Sequence, residues 1–233
     1  MRPTVDALSQ HFDVRTFSLG DDARSLDDLV RQVSDTMDEG CVECAVICGV
    51  SFGGLVALRF AAIHPERTRA LVLASTPGPG FTLQARHRLY MRLPWIFGPL
   101  FLMETPWRLR REVGVALPER AARIALRLRT IATLFSAPPS VSAMARRARL
   151  MAAVDLTPDS ARVTAPTLVL TGECALDVVV PTDGSQTYAR LIAGARATVL
   201  DRTGHIGTIT RPYAFAEVVN AFIAECKSPD AAA

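Results

Sequence analysis

The sequence has almost no lysine and no long apolar run, and both absences limit what the protein can be. Of its 26 basic residues only Lys227 is a lysine, and a net charge of +3 gives no reason to expect a nucleic acid partner. The longest uncharged apolar stretch, 93–103, has 11 residues with two prolines and is too short to cross a bilayer. The first residues lack the apolar core of a signal peptide. We therefore expect a cytoplasmic protein without an integral membrane segment.

Cysteine is also scarce and follows no disulfide pattern. The five cysteines make an odd number, which fits a reducing compartment. Cys41 and Cys44 form a C-x-x-C pattern, but no second cysteine pair and no histidine stands at the spacing of a metal site. Cys44 and Cys48 are better interpreted as small apolar residues of a strand. The sequence implies neither a metal nor an organic cofactor.

Apolar strands alternate with helical patterns along most of the chain. We predict strands at 12–19, 45–48, 70–75, 167–171 and 197–200. Strand, helix and strand at this spacing are typical of a mostly parallel sheet flanked by helices, which is an α/β fold.

Helix signals lie between these strands. Ser25 is a suitable N-cap for a helix that buries Leu29, Val33 and Met37 and ends at Gly40. A further helix is predicted around Ser185 to Ile192. The last helix is predicted from about Pro212 to Glu225, with proline in its first turn.

Residues 78–150 interrupt this alternation. They contain no convincing strand, and 13 arginines against three glutamates give them a charge of +10, which leaves −7 for the rest of the chain. A charge shift of this size indicates an inserted subdomain. We predict a core made of residues 1–77 and 151–233, with 78–150 as a helical cap.

The stretch 44–64 joins an apolar strand, a tight turn and a helix. The turn, residues 49–53, reads GVSFG and matches the G-x-S-x-G pattern in the strand-turn-helix context that the pattern requires. Such a bend exposes the hydroxyl of Ser51, and a Cβ at either flanking glycine is expected to collide with neighbouring backbone. Ser51 is therefore the candidate nucleophile.

Two later strand ends carry an acid and a histidine. Asp177 follows the strand at 167–171, and His205 follows the strand at 197–200, so all three side chains are expected at one edge of the sheet. A serine hydroxyl needs a histidine to take its proton, and the histidine needs a carboxylate to orient it. Glu173 is an alternative to Asp177 in that last role.

At these residues the sequence resembles the α/β-hydrolase family. The resemblance covers nearly the whole chain outside the insertion, through GVSFGG at 49–54, HPER at 64–67, Asp177 before a Val-Pro pair, and His205 after a glycine. It implies Ser51 as nucleophile, His205 as base and Asp177 as the acid that orients it. It also implies that the backbone N–H of Phe52 is an oxyanion-hole donor and that the insertion is a cap over the site.

The sequence departs from the family before the nucleophile. The second oxyanion donor of the family comes from a His-Gly loop after an earlier strand, and nothing before Phe12 supplies that loop. The strand that would lie in the sheet between the predicted strands 12–19 and 45–48 is missing as well. We expect either a truncated reading frame or a shortened variant, with truncation favoured, and a poor catalyst even with an intact triad.

The resemblance implies a serine hydrolase that cleaves an ester or related acyl bond of a small, largely apolar substrate. Serine rather than aspartate on the turn argues against dehalogenase and epoxide hydrolase chemistry, whereas thioesterase, amidase, C–C hydrolase and acyltransferase chemistry stay open. The alternative is a catalytically silent relative that acts as a binding protein. No oligomeric state follows from the sequence.

The cap holds a group of apolar residues among its arginines, and two interpretations are open. The favoured one is that these side chains line an acyl pocket; the other is that they attach the cap to a membrane surface. The residues are Trp95, Phe97, Leu100, Phe101 and Trp107.

Overall fold

A parallel sheet of four strands lies at the centre of the molecule. The computed structural model describes residues 2–82 and 85–226, and the strand order in this part of the chain is β1-β2-β3-β4, with every neighbouring pair parallel. This sheet confirms the predicted α/β class. The strands are β1 (Ala45–Val50), β2 (Thr68–Ala74), β3 (Thr167–Thr171) and β4 (Arg196–Val199).

Helices connect and cover these strands. Before β2 they are α1 (Arg2–Leu8), α2 (Leu26–Glu39) and α3 (Phe52–Ile63), and a short 3₁₀ turn covers Pro65–Arg67. Between β2 and β3 lie α4 (Ala85–Arg92), α5 (Pro94–Arg108), α6 (Arg110–Ala116), α7 (Arg120–Ser136), α8 (Val141–Ala153) and α9 (Thr157–Ser160). After β3 come α10 (Thr182–Leu191), α11 (Gly207–Thr210) and α12 (Pro212–Glu225).

The start of α2 shows how local sequence defines a helix. The Ser25 side chain accepts a hydrogen bond from the Asp28 N–H at 3.1 Å, and the Asp28 carboxylate accepts one from the Ser25 N–H at 3.0 Å. This reciprocal capping box satisfies two N–H groups that the first turn leaves without helical partners. The predicted apolar face is buried, and it packs with α3 in the core.

Strand β2 divides the core into two layers. Its alternating side chains place Leu71 and Leu73 in one cluster with α2 and α3, and Ala70 and Val72 in the other with α12. Both faces of the strand are therefore buried, which explains why its sequence is a continuous apolar run. Helices therefore pack on both faces of the sheet next to the strand ends that precede the site residues.

The predicted strand at 12–19 is wrong. Residues 13–20 have irregular backbone, and Phe17 is exposed. Alternation is a local signal, whereas a strand also needs a neighbour with which to form hydrogen bonds, and this segment has none. Strand β1 consequently forms one edge of the sheet, and the described residues contribute no strand beyond it.

The other predicted strands and the last helix lie within a few residues of their expected positions. Strand β3 and helix α12 match their predictions at both ends, whereas α10 begins at Thr182 rather than near Ser185. Within 78–150 the described backbone forms helices and no strand.

Candidate active site

Ser51 lies on the sharp bend between β1 and α3. Its backbone has φ 53° and ψ −123°, which is an unusual conformation for a residue with a side chain, and its N–H donates to the Ala74 carbonyl oxygen at 2.8 Å. A non-glycine residue held at positive φ is strained and persists only where the surrounding structure fixes it. The observed bend therefore has the features expected of a nucleophile turn.

The two glycines of the G-x-S-x-G pattern differ in how much space surrounds them. A Cβ at Gly49 would lie 2.4 Å from the Gly53 carbonyl oxygen and 2.5 Å from the Gly54 Cα, so only glycine fits there. A Cβ at Gly53 would meet no atom within 4 Å. The expected collision is thus correct for Gly49 and wrong for Gly53, because the Gly53 Cβ direction points into open space.

The structure brings the three predicted site residues together. The His205 Nε2 atom lies 3.1 Å from Ser51 Oγ, and its Nδ1 lies 3.5 Å from an Asp177 carboxylate oxygen. The other Asp177 oxygen accepts hydrogen bonds from the N–H groups of Val179 and Val180, both at 2.9 Å. The Asp177 side chain is only 1% exposed. These bonds fix the carboxylate beside the imidazole.

Glu173, the alternative acid, is held elsewhere. Its carboxylate accepts a hydrogen bond from the Arg202 N–H at 2.6 Å, which ties the start of the acid loop to the turn after β4. The geometry therefore favours Asp177 over Glu173 as the neighbour of His205.

The loops that carry the acid and the histidine are in close contact. A Cβ at Gly172 would lie 2.4 Å from the Gly204 carbonyl oxygen, so a side chain at Gly172 would push the two loops apart. The Glu173 N–H also donates to the Thr203 carbonyl oxygen at 2.8 Å. This close backbone approach sets the distance between Asp177 and His205.

A cavity of about 240 Å³ opens beside Ser51. Its walls come mainly from helices α5 and α8 and from loop residues that follow β1, β2 and β3, and most of the lining side chains are apolar. The lining residues are Ser51, Pro77, Phe81, Tyr90, Gly98, Phe101, Thr105, Arg108, Leu109, Val141, Met144, Ala145, Ala148, Met151, Val179 and Val180. A largely apolar chamber with few polar groups is typical of a small-molecule site.

The aromatic residues of α5 are divided between the cavity and the surface. Phe101 lines the cavity, whereas Trp95 is 77% exposed and Trp107 is 69% exposed. The Arg110 guanidinium stacks over the Trp107 ring at 3.7 Å. The expectation that the whole aromatic group lines a pocket is therefore wrong for both tryptophans, because they lie on the outer side of α5.

Two residues of helices α5 and α6, for which sequence analysis offers no functional hypothesis, contact the site loops. Arg108, at the end of α5, donates to the Val178 carbonyl oxygen at 3.1 Å, next to Asp177. Glu112 of α6 accepts from the Ile206 N–H at 2.8 Å, next to His205. The spacing of Phe101, Thr105 and Arg108 on one helix face indicates that Arg108 faces the cavity, but it does not indicate the contact with the loop of Asp177. Nothing local marks Glu112.

Glu112 is buried, with only 1% of its surface exposed. One carboxylate oxygen binds Ile206, and the other has no hydrogen-bond partner within the described structure. Burial raises the pKa of Glu112, while the N–H groups of Gly204 and Ile206 act in the opposite direction. The histidine loop is thus held by an acid that is poorly solvated when charged.

The fold is that of an α/β protein with a strained serine on a sharp strand-to-helix turn at the edge of a parallel sheet. A model of the alpha/beta hydrolase family matches residues 4–218. The chain therefore belongs to that family of hydrolytic enzymes, as the sequence resemblance predicted.

Proteins similar in sequence include a hydrolase and an esterase. The chain is 32% identical over 202 residues to a 2-hydroxymuconate semialdehyde hydrolase of Pseudomonas sp. strain CF600, an alignment that covers 82% of this chain and 65% of that protein. It is 25% identical over 230 residues to a pimeloyl-(acyl-carrier protein) methyl ester esterase of Nitrosomonas europaea, covering 93% and 87% of the two chains. The chain thus spans less than two thirds of the length of the first relative.

Solved structures show the same fold. A hydrolase from Pseudomonas aeruginosa PA01 superposes with a TM-score of 0.70 at 27% identity, covering 95% of this chain and 83% of that one. An enol-lactonase from Burkholderia xenovorans LB400 gives a TM-score of 0.67 at 24% identity, covering 95% and 85%.

Proposed function

We propose that this chain is a serine hydrolase that cleaves an ester or related acyl bond of a small, largely apolar substrate. The observation that carries the proposal is the 3.1 Å separation of Ser51 Oγ and His205 Nε2 beside an apolar cavity. At this separation a proton passes directly from the hydroxyl to the imidazole.

The chemistry follows from the positions of the three side chains. His205 takes the proton of the Ser51 hydroxyl as Ser51 Oγ attacks the substrate carbonyl carbon. The resulting imidazolium is stabilised by the Asp177 carboxylate. His205 then gives the proton to the leaving group, and an acyl-enzyme remains on Ser51. A water molecule, deprotonated by the same histidine, attacks that ester and releases the acid and free Ser51.

The tetrahedral intermediate requires hydrogen-bond donors for its oxyanion. Phe52 is the first residue of α3, and the first N–H groups of a helix have no partner within the helix. The Phe52 N–H follows the nucleophile, and the positive end of the α3 dipole adds to its effect. We assign Phe52 as one donor.

The cavity walls guide the choice of substrate. Met144, Ala145 and Met151 offer apolar contact to an acyl or alkyl group, whereas Ser51 is one of the few polar residues of the lining. The named relatives act on a semialdehyde and on a methyl ester. Simple p-nitrophenyl esters of short acids are therefore suitable first substrates.

A fluorophosphonate probe tests the proposal directly, because it reacts with an activated serine and needs no knowledge of the substrate. We expect labelling of the chain and loss of labelling in Ser51→Ala. Labelling should be unchanged in Ser9→Ala, which alters an exposed serine far along the chain from the turn that carries Ser51. Labelling that survives in Ser51→Ala would contradict the assignment. A chain that binds p-nitrophenyl esters without labelling or turnover would favour the alternative of a silent binding protein.

A further inference from the structure

Helix α7 is an amphipathic helix whose apolar face is uncovered. It has 17 residues, and none of them is buried. At 3.6 residues per turn, Ile124, Leu128, Ile131 and Phe135 fall on one narrow face. On that face Leu128 is 62% exposed and Phe135 is 86% exposed.

Arginine accompanies this apolar face, and acidic residues do not. Helix α7 contains four arginines and no aspartate or glutamate. Arg120, Arg123 and Arg127 follow one border of the face. The Arg123 guanidinium donates to the Leu117 and Pro118 carbonyl oxygens at 2.9 and 2.7 Å, and the stems of Arg120 and Arg127 can extend along the face with their guanidinium groups outwards. The helix thus combines an apolar stripe with a cationic border.

The charge of α7 agrees with that of the segment around it. Residues 78–150 carry a net +10 and the rest of the chain −7, and one of the three glutamates of the segment, Glu112, is buried. Outside α7, Trp95 and Trp107 on α5 are also exposed. Positive charge and exposed apolar side chains are therefore concentrated on the same part of the molecule.

We propose that α7 binds the surface of an anionic lipid bilayer, with Ile124, Leu128, Ile131 and Phe135 inserted among the acyl chains and the arginines against the headgroups. Helices with this combination of faces lie in the plane of the bilayer surface. None of the helices in the described part of the chain has the length and apolar character needed to cross a bilayer.

Charge decides between the possible occupants of this face. Two copies of α7 packed on each other would bring their arginines together, with no acid in either helix to offset them. A nucleic acid would match the arginines but would leave the apolar stripe in water. An anionic bilayer matches both, because it offers negative headgroups next to a hydrocarbon layer.

The test is co-sedimentation of the full chain with phosphatidylcholine vesicles that contain or lack phosphatidylglycerol. We expect binding to the anionic vesicles and at least about tenfold weaker binding to the neutral ones. Two variants separate the contributions: Leu128→Ser with Phe135→Ser removes the stripe, and Arg120, Arg123 and Arg127 all changed to Gln remove the cationic border. Each should weaken binding by at least about tenfold.

A matched control removes the same charge elsewhere. Arg15, Arg31 and Arg190 are exposed residues outside the insertion, and their joint change to Gln should leave vesicle binding unchanged. The proposal is overturned if the wild-type chain ignores anionic vesicles, if the control weakens binding as much as the α7 variants do, or if the α7 variants instead abolish self-association measured by light scattering.

Discussion

At the scale of single residues, the environment of each carboxylate distinguishes Asp177 from Glu173. Both follow β3, and the sequence left both open as the partner of His205. The structure places Asp177 3.5 Å from the imidazole and Glu173 on the backbone of Arg202. Chain order alone cannot separate them, because which side chain turns towards the histidine depends on the hydrogen bonds of the loop.

This difference predicts unequal effects of two isosteric changes. Asp177→Asn should lower kcat by about 10⁴, since an amide neither stabilises the imidazolium nor holds the same tautomer. Glu173→Gln should lower it far less, because the side-chain carbonyl oxygen of the new amide still accepts from the Arg202 N–H. Hydrolysis of a p-nitrophenyl ester measures both. The opposite order of effects would assign the role to Glu173.

The two glycines of the nucleophile turn provide a second test on single residues. Gly49→Ala should destabilise the protein by several kcal/mol, because its Cβ would lie 2.4 Å from a backbone oxygen that cannot move without shifting α3. Gly53→Ala should be neutral or stabilising by up to about 1 kcal/mol, since position 53 is helical and open. Denaturant unfolding measures the change in the free energy of unfolding of both variants. Equal losses in the two would contradict the expectation for Gly53.

At the scale of elements, helices α5 and α6 hold the two loops that carry the acid and the histidine. Arg108 contacts the loop of Asp177, Glu112 contacts the loop of His205, and Arg202 donates to the Val115 carbonyl oxygen at 3.1 Å. Helices α5 and α6 therefore take part in positioning the site residues, and α5 also forms part of the cavity wall.

Removal of the Glu112 contact should impair turnover more than binding. Glu112→Leu leaves the Ile206 N–H without its acceptor and frees the His205 loop, so kcat should fall by about 10- to 100-fold with KM nearly unchanged. Glu112→Gln retains a carbonyl acceptor and should restore most of the loss. Glu119→Gln, which changes an exposed acid just before α7, serves as the control. A wild-type kcat in Glu112→Leu would contradict the positioning role.

Elements with local signals were predictable from sequence, and elements that depend on distant partners were not. The capped helix α2, the buried strands β2 and β3 and the nucleophile turn each have a pattern within about a dozen residues. The supposed strand at 12–19 had the pattern and lacks a partner. The contacts of Glu112 and Arg108 join segments separated by 94 and 70 positions, and no periodicity encodes such distances.

At the scale of the whole molecule, the buried Glu112 links stability to pH. Burial raises the pKa of Glu112 above its ordinary value, so the folded state holds a proton that the unfolded state has already released. Stability should therefore fall as pH rises from the ordinary glutamate pKa through the folded one. Below that window the contribution is constant, because both states are protonated.

Glu112→Gln isolates this effect, since a glutamine neither titrates nor needs to be protonated when buried. We expect Tm of the variant and the wild type to be close near pH 4, and the Tm of the variant to exceed that of the wild type increasingly towards neutral pH. Thermal unfolding followed by circular dichroism across this range measures the difference. A difference in Tm that does not change with pH would show that the pKa of Glu112 is the same in the folded and unfolded states.

The distance along the chain between Ser51 and His205 has a consequence for folding. The nucleophile turn is local, because β1, α3 and β2 are consecutive and pack on one another, and such a unit forms early. Its histidine comes from a loop 154 positions away and arrives only after β3 and β4 have joined the sheet. We therefore expect Ser51 to adopt its bent backbone before His205 reaches it. During refolding from denaturant, the far-ultraviolet signal should recover first and reactivity towards a fluorophosphonate last, so that covalent labelling dates the completion of the sheet.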